Sequence, residues 1–301
     1  MRIKSLLADS TGILFGALLL FACSNHNEEK EQVDTLKLLV KSMSFMDPSV
    51  ADKYPVMQSI GLFSTDKQLY NTSLLDNQKA VYNGWKWYFE GNREIRLGPD
   101  SIMLYGYYPY DPYMQSHEWL RLKTGDVDYM YGAHNLKGRG YINYRQPVAE
   151  IRMEHAMCML KLDIRPIIEL GGTTDRIFIE SADYDHPLYS TGQINMLTDE
   201  TGSLEVLTGE VDCALDGSGI RALLYMIPCK AANFNINIIV NGKKHTMKVK
   251  GMDFEKGTIR NFWLDFDVEQ QKLFIKDFNI VEWANGGVLD IDTSVNADVE
   301  K

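Results

Sequence analysis

The sequence is poor in the residues and spacings that most enzyme and metal sites are built from. It has four cysteines and six histidines among 301 residues, and no Cys/His spacing suits zinc. There is no G-x-S-x-G, no H-E-x-x-H and no glycine-rich phosphate loop. These absences predict a protein that is not an enzyme and holds no metal or cofactor. Positive charge is also scarce. Thirty-one Lys and Arg stand against 41 Asp and Glu, a net charge of −10 with no basic cluster, so a phosphate backbone would repel the chain and nucleic acid is excluded as a partner. Helical periodicity is nearly missing, and no strand pattern alternates with a long helical one, which excludes a parallel α/β sheet.

What is present is alternation. "TLKLLVKSMSF" sets Leu36, Leu38 and Val40 in a period-two pattern. "GWKWYFE" puts Trp85, Trp87 and Phe89 on one face and Lys86, Tyr88 and Glu90 on the other. "FNINIIVNGKKHTMKV" sets Phe234, Ile236, Ile238 and Val240 against Asn235 and Asn237. Its Asn241-Gly242 supplies the positive φ angles of a tight hairpin. "NFWLDFDV" repeats the pattern through Phe262, Leu264, Phe266 and Val268. The sixteen tyrosines and five tryptophans favour strands as well. The expected architecture is all-β, two β-sandwiches divided near Arg165–Asp175: residues 35–168 and 169–301.

The N-terminus has a different character. Arg2 and Lys4 precede an apolar run from Gly12 to Ala22, which suits a signal-peptide core and is short for a bilayer span. The run ends "LFAC", which resembles a bacterial lipobox with Leu20 and Ala22 before Cys23. Residues 1–23 are then a lipoprotein signal ending at an acylated Cys23. Each buried CH₂ of the acyl chains adds about 0.8 kcal/mol of membrane affinity. Residues 24–34, polar and acidic, form a tether, similar to the signal that exports Bacteroidetes lipoproteins to the outer face of the cell. Three cysteines remain. Cys158 in "AMCML" is a buried small hydrophobe, and Cys213 and Cys229 are candidates for a disulfide.

Other stretches carry chemistry only as alternatives to plain structure. In "LYGYYPYDPY", Tyr105, Tyr107, Tyr108, Tyr110 and Tyr113 form either an aromatic platform for a glycan or a strand with alternate tyrosines in the core. Asp126 and Asp128 are either paired carboxylates for proton transfer or calcium or simply solvated. His155 and Cys158 are three apart, a spacing open to a nucleophilic pair, but Met153, Ala156, Met157, Met159 and Leu160 around them speak for core.

Taken together, "IMLYGYYPY", "DVDYMYGA", "EHAMCMLKLDI", "YSTGQINML", "LLYMIPCKAANFNINIIVNGK", "FEKGTIRNFWLDFDV" and "IVEWANGGVLDID" resemble, in order and spacing, the fimbrillin family of pilin-like surface lipoproteins of Bacteroidetes. The closing Trp283-x-x-Gly286 is typical of it. The resemblance implies a transthyretin-like first sandwich, an outer-membrane lipid anchor and a fimbrial, adhesive role. It also implies assembly by strand exchange with other pilin subunits, after a protease cuts behind the first strand. Mapped here, the strand to be removed is Thr35–Phe45, with Leu36, Leu38 and Val40 filling the groove. No arginine lies between Arg2 and Arg93, so Lys53 is the candidate processing position. Val288, Leu289 and Ile291 are either a donor strand or the last strand of their own domain. The rival reading is a monomeric surface lipoprotein that binds glycans through Tyr105–Tyr113.

Overall fold

Alternating side chains drive nearly every segment into strands. The computed structural model describes residues 36–37, 39–45, 59–66, 74–82, 87–92, 95–114, 116–134, 141–169, 173–216, 219–267, 269 and 272–282. The first half holds β1 (Leu36–Lys37), β2 (Leu39–Phe45), β3 (Ser59–Thr65), β4 (Gln78–Tyr82), β5 (Trp87–Phe89) and β6 (Arg96–Leu97). β7 (Ile102–Tyr108), β8 (Trp119–Lys123), β9 (Met130–His134), β10 (Tyr141–Ile142), β11 (Val148–His155) and β12 (Cys158–Asp163) follow. A short helix α1 (Arg165–Glu169) comes next, opened by Pro166 and by Asp163 Oδ1 accepting the Arg165 N–H at 3.0 Å, the terminal chemistry a helix start needs. The second half holds β13 (Thr174–Ser181), β14 (Tyr189–Asn195), β15 (Thr201–Val206), β16 (Glu210–Asp212) and β17 (Ala214–Leu215). β18 (Arg221–Met226), β19 (Cys229–Val240), β20 (Lys243–Phe254), β21 (Thr258–Asp267) and β22 (Lys272–Glu282) complete it. The all-β expectation holds.

In the first half one sheet runs β2-β11-β9-β7-β3-β4-β5, with β10 paired to β7. It curls until residues of its end strands, β2 and β5, lie within 8 Å, Cα to Cα. Its concave face encloses a core of Ile60, Leu62, Leu104, Met130, Ile151 and Met153. In the second half β17-β18-β12-β21-β22 packs on β16-β13-β19-β20 around Leu160, Leu162, Ile179, Phe234, Ile236, Ile238 and Phe262. A third core joins the halves. The outer face of the curled sheet, through Phe63, Met103, Tyr105, Tyr107 and Tyr131, meets Leu120, Leu122, Ile194, Met157, Met159 and Tyr225.

The β19–β20 hairpin follows its sequence reading residue by residue. Asn241 and Gly242 have φ of 48° and 76°, and Val240 pairs with Lys243. Phe234, Ile236, Ile238 and Val240 are buried in the core. Asn235 and Asn237 lie on the other face, where both side-chain amides donate to Glu180 Oε1.

The division into halves differs from the expected boundary. Cys158–Asp163, expected to close the first sandwich, pairs with β18 and β21 in the second-half sheet. The chain changes sheets at Ala156–Met157, both fully buried. The halves also share strands: β8 pairs with β14. The cause is that β12 begins apolar on both faces. Cys158, Leu160 and Leu162 face one core and Met159 the other, so the strand sits where two cores meet. A polar cluster closes the same junction. Lys256 Nζ lies 3.1 Å from Asp199 Oδ2 and 3.4 Å from Glu154 Oε2, and donates to Tyr131 Oη, whose own proton goes to Asp199.

Candidate assembly edge and aromatic loop

The first described strands, β1 (Leu36–Lys37) and β2 (Leu39–Phe45), pair with two different partners. Leu36 pairs with Leu97 and Lys37 with Arg96. β2 then runs parallel to β11 as the terminal strand of the sheet. Val40 stands opposite Ala149, Met43 opposite Ile151 and Phe45 opposite Met153, and those three partners are fully buried. The register shifts between Ala149 and Glu150, so Lys41 has no partner in β11. Such a bulge changes the phase of a strand. In register, Val40, Met43 and Phe45, and not Ser42 and Ser44, therefore stand opposite the buried residues of β11. Without this segment, the outer N–H and C=O groups of β11 would lose their partners and the concave core would open along one side. Cys23, Leu38, Lys53, Val288, Leu289 and Ile291 lie outside the described residues.

The tyrosine-rich stretch divides into core and surface. On β7, Tyr105 and Tyr107 are 0% exposed and stack on Phe63, with centroids 5.7 and 6.0 Å apart. Burial raises both phenol pKa values. As ligand-stacking aromatics these two are corrected: their rings are spent on the junction core. Tyr107 has a second task. Its hydroxyl donates to Asn77 Oδ1 at 2.7 Å and accepts the Asp111 N–H at 3.2 Å. Asn77 Nδ2 in turn donates to the Asp111 carbonyl at 2.9 Å. The loop after β7 is thereby tied to the segment before β4. Tyr108 points to the concave side and packs there partly buried. Tyr110 is half-buried, and Tyr113 is 82% exposed.

Next to Tyr110 stand residues that the reading of the tyrosine stretch did not include. Lys79 Nζ lies 5.4 Å from the Tyr110 ring centre and 2.7 Å from Glu90 Oε1. Tyr88, 37% exposed, is on the same face of the sheet as Lys79. The signal was there: the alternation of "GWKWYFE" assigns Tyr88 and Glu90 to the face opposite the buried Phe89.

The remaining candidates resolve as follows. Asp126 is exposed, but Asp128 is buried and its Oδ2 lies 2.8 Å from His155 Nδ1. His155 therefore pairs with Asp128. Cys158 lies 3.3 Å from Thr258 Oγ1 instead, and burial pushes its thiol up to about 11. The Cys213–Cys229 disulfide does not form. Among the described residues the three cysteines, Cys158, Cys213 and Cys229, are free: Cys213 sits beside β13, its N–H on Ile177 O, while Cys229 opens β19 opposite Phe254. Burial raises both thiols to about 12. A cleft of about 420 Å³ is lined by Glu180, Asp183, Tyr184 and Glu210. Its carboxylates already have partners in Asn235, Asn237, Asn233 and Arg176. Among the described residues there is no cluster of three or more metal-ligating side chains, and no helix long and apolar enough to cross a membrane.

No protein-family model matches the sequence, and no curated protein matches it significantly. Solved structures do share the fold. A candidate cell adhesion protein from Bacteroides ovatus superposes with a TM-score of 0.60 at 15% identity, covering 83% of this chain and 98% of its own. One from Bacteroides uniformis gives 0.58 at 13%, covering 84% and 98%. A fimbrial protein from Bacteroides vulgatus gives 0.53 at 12%, covering 82% and 99%.

Proposed function

We propose that this chain is a fimbrillin-like surface lipoprotein: a structural or anchoring subunit of an adhesive pilus, held to the outer membrane through Cys23 and assembled by strand exchange. The observation that carries the reading is the placement of Leu36–Phe45. Its longer part, Leu39–Phe45, is a terminal strand, parallel to β11 and paired with a row of residues that includes the buried Ala149, Ile151 and Met153, and the segment follows the acidic tether and the lipobox. Its removal would expose unpaired backbone and an apolar groove together, and an extended strand from a second subunit supplies both kinds of partner. The solved structures that share this fold include candidate adhesion proteins and a fimbrial protein, in keeping with that role. Val40, Met43 and Phe45 hold the register positions that a donated strand would take over. Val288, Leu289 and Ile291 are the candidate donor residues, Lys53 is the candidate cleavage position, and the reading assigns no catalytic role.

Mass spectrometry of the protein recovered from intact cells tests this. The expected result is an acylated Cys23 in the unassembled form, and an N-terminus beyond Phe45, at or near Lys53, in higher oligomers. An unmodified Cys23 in cytoplasmic protein would overturn the anchor. A Cys23 N-terminus in all oligomeric material would overturn strand exchange and leave the anchor standing.

A further inference from the structure

The outer face of the curled sheet is used unevenly. Its β7–β9 part is sealed in the junction core, while at its β4–β5 end Tyr88 is exposed and Lys79 and Val81 are half-buried. Gly61 pairs with both Tyr107 and Lys79, and Val81 with Tyr88. Register therefore sets Lys79, Val81 and Tyr88 on the same outer face as Tyr107, and Glu90, just past β5, joins them through its ion pair with Lys79. Tyr110 closes over this end from the loop, its N–H bonded to Ser59 O at 3.4 Å, with Lys79 Nζ beside its ring.

We propose that Tyr88, Tyr110 and the Lys79–Glu90 pair form a shallow binding platform for a neutral saccharide. This does not depend on the pilus reading: the group lies on the outer face of β4 and β5, opposite the concave core, and needs no strand to leave or enter. The chemistry selects the ligand. Two tyrosines offer ring faces for the C–H side of a pyranose and hydroxyls for its rim. Lys79 adds donors and Glu90 acceptors for sugar hydroxyls. Their charges cancel across 2.7 Å, and the chain carries −10 overall, so nothing here recruits an anionic ligand. A stable protein partner would need roughly 20–30 residues a side, far more than this group of four.

The platform is also pre-ordered. Tyr107, fully buried, fastens Asp111 directly and through Asn77, and Asp111 Oδ1 accepts the Tyr113 N–H at 2.8 Å. The loop that presents Tyr110 is held before any ligand arrives, which lowers the ordering cost of binding. Tyrosine itself brings contact area with few rotatable bonds. Tyr107 is thus a positioning residue for the platform.

Saturation-transfer NMR on the full chain in detergent, with maltotriose, cellotriose, triacetylchitotriose and lacto-N-tetraose as probes, tests the proposal. At least one should bind, with millimolar affinity. Tyr88→Ala and Tyr110→Ala should each weaken that binding by about tenfold or more with an unchanged unfolding midpoint. Tyr107→Phe keeps the ring in the core and should weaken binding several-fold without a change in which sugar protons contact the protein. Failure of all four probes to bind overturns the proposal. So does binding that survives Tyr88→Ala and Tyr110→Ala, or a clear preference for a sialylated analogue.

Discussion

Tyr107 and Gly61 stand opposite each other in register, and the tyrosine ring occupies the space that a side chain on the glycine would need. An added Cβ would meet the ring and Asn77 Oδ1, the acceptor of the Tyr107 hydroxyl. Gly61→Ala should therefore displace the ring and break the loop tie together. The expected cost is about 1–3 kcal/mol, read as a lower denaturant midpoint. An unchanged midpoint would refute the packing described for this face.

A harsher outcome is expected at Gly132. There the added Cβ would meet the carbonyl of Arg152 and lie 2.9 Å from Met153 Cα. This is backbone of the neighbouring strand β11, so no rotamer change relieves it. Gly132→Ala should cost more than Gly61→Ala in the same urea titration. The reverse order would show that β9 and β11 do not approach as closely as their pairing implies.

Asp128 predicts a pH dependence. Burial raises its carboxyl above the ordinary carboxylate range, and the hydrogen bond and charge of His155 offset only part of that. The phenol of Tyr108 also faces it. The folded chain keeps this proton over a range in which the unfolded chain has lost it. Its stabilising contribution is complete below the unfolded value of about 4 and is lost as pH rises through the folded value. Asp128→Asn does not titrate. The stability of the variant relative to wild type should rise from pH 3 upward and then level off. A difference independent of pH would contradict the assignment.

The three thiols should be slow to react. With Cys158 raised to about 11 and Cys213 and Cys229 to about 12, little thiolate exists at pH 8. Alkylation should be on the order of 100-fold slower in the folded than in the unfolded chain. Without reductant, the unfolded protein should still take up label at Cys158, Cys213 and Cys229. A Cys213–Cys229 cross-link in peptide maps would refute the arrangement.

The cluster at the junction should behave as one unit. Tyr131→Phe and Lys256→Met each remove a partner of Asp199. Lys256 is only partly shielded, its side chain 31% exposed, so each should cost no more than about 1 kcal/mol. In a double-mutant cycle their effects should be non-additive by about 0.5 kcal/mol or more. Simple additivity would mean that Tyr131 and Lys256 act separately.

Much of this was legible in the sequence where the signal is local. Asn241-Gly242 specified its hairpin because the turn needs two positive φ angles within two residues. The alternation in Phe234–Val240 assigned each side chain to the face it occupies. The tyrosines of β7 were harder. Alternation on a strand apolar on both sides cannot say which face is covered. Only the packing of Leu120, Ile194 and Tyr225 over that face turned Tyr105 and Tyr107 from a candidate ligand surface into core. Lys256, Asp199 and Glu154 carried no signal at all, being far apart in sequence and ordinary in type.

By itself the sequence determined the strand content, the tight turn and the inward set of the β19–β20 hairpin. Tertiary structure alone decided which sheet Cys158–Asp163 joins, where the phase of β2 slips past Lys41, and that Asp128 is drawn inside to His155. The reason is physical. The faces of a strand are written in side chains two residues apart. Its neighbours are chosen through backbone N–H and C=O groups that are alike at almost every residue, so only the global fit of the cores selects among them.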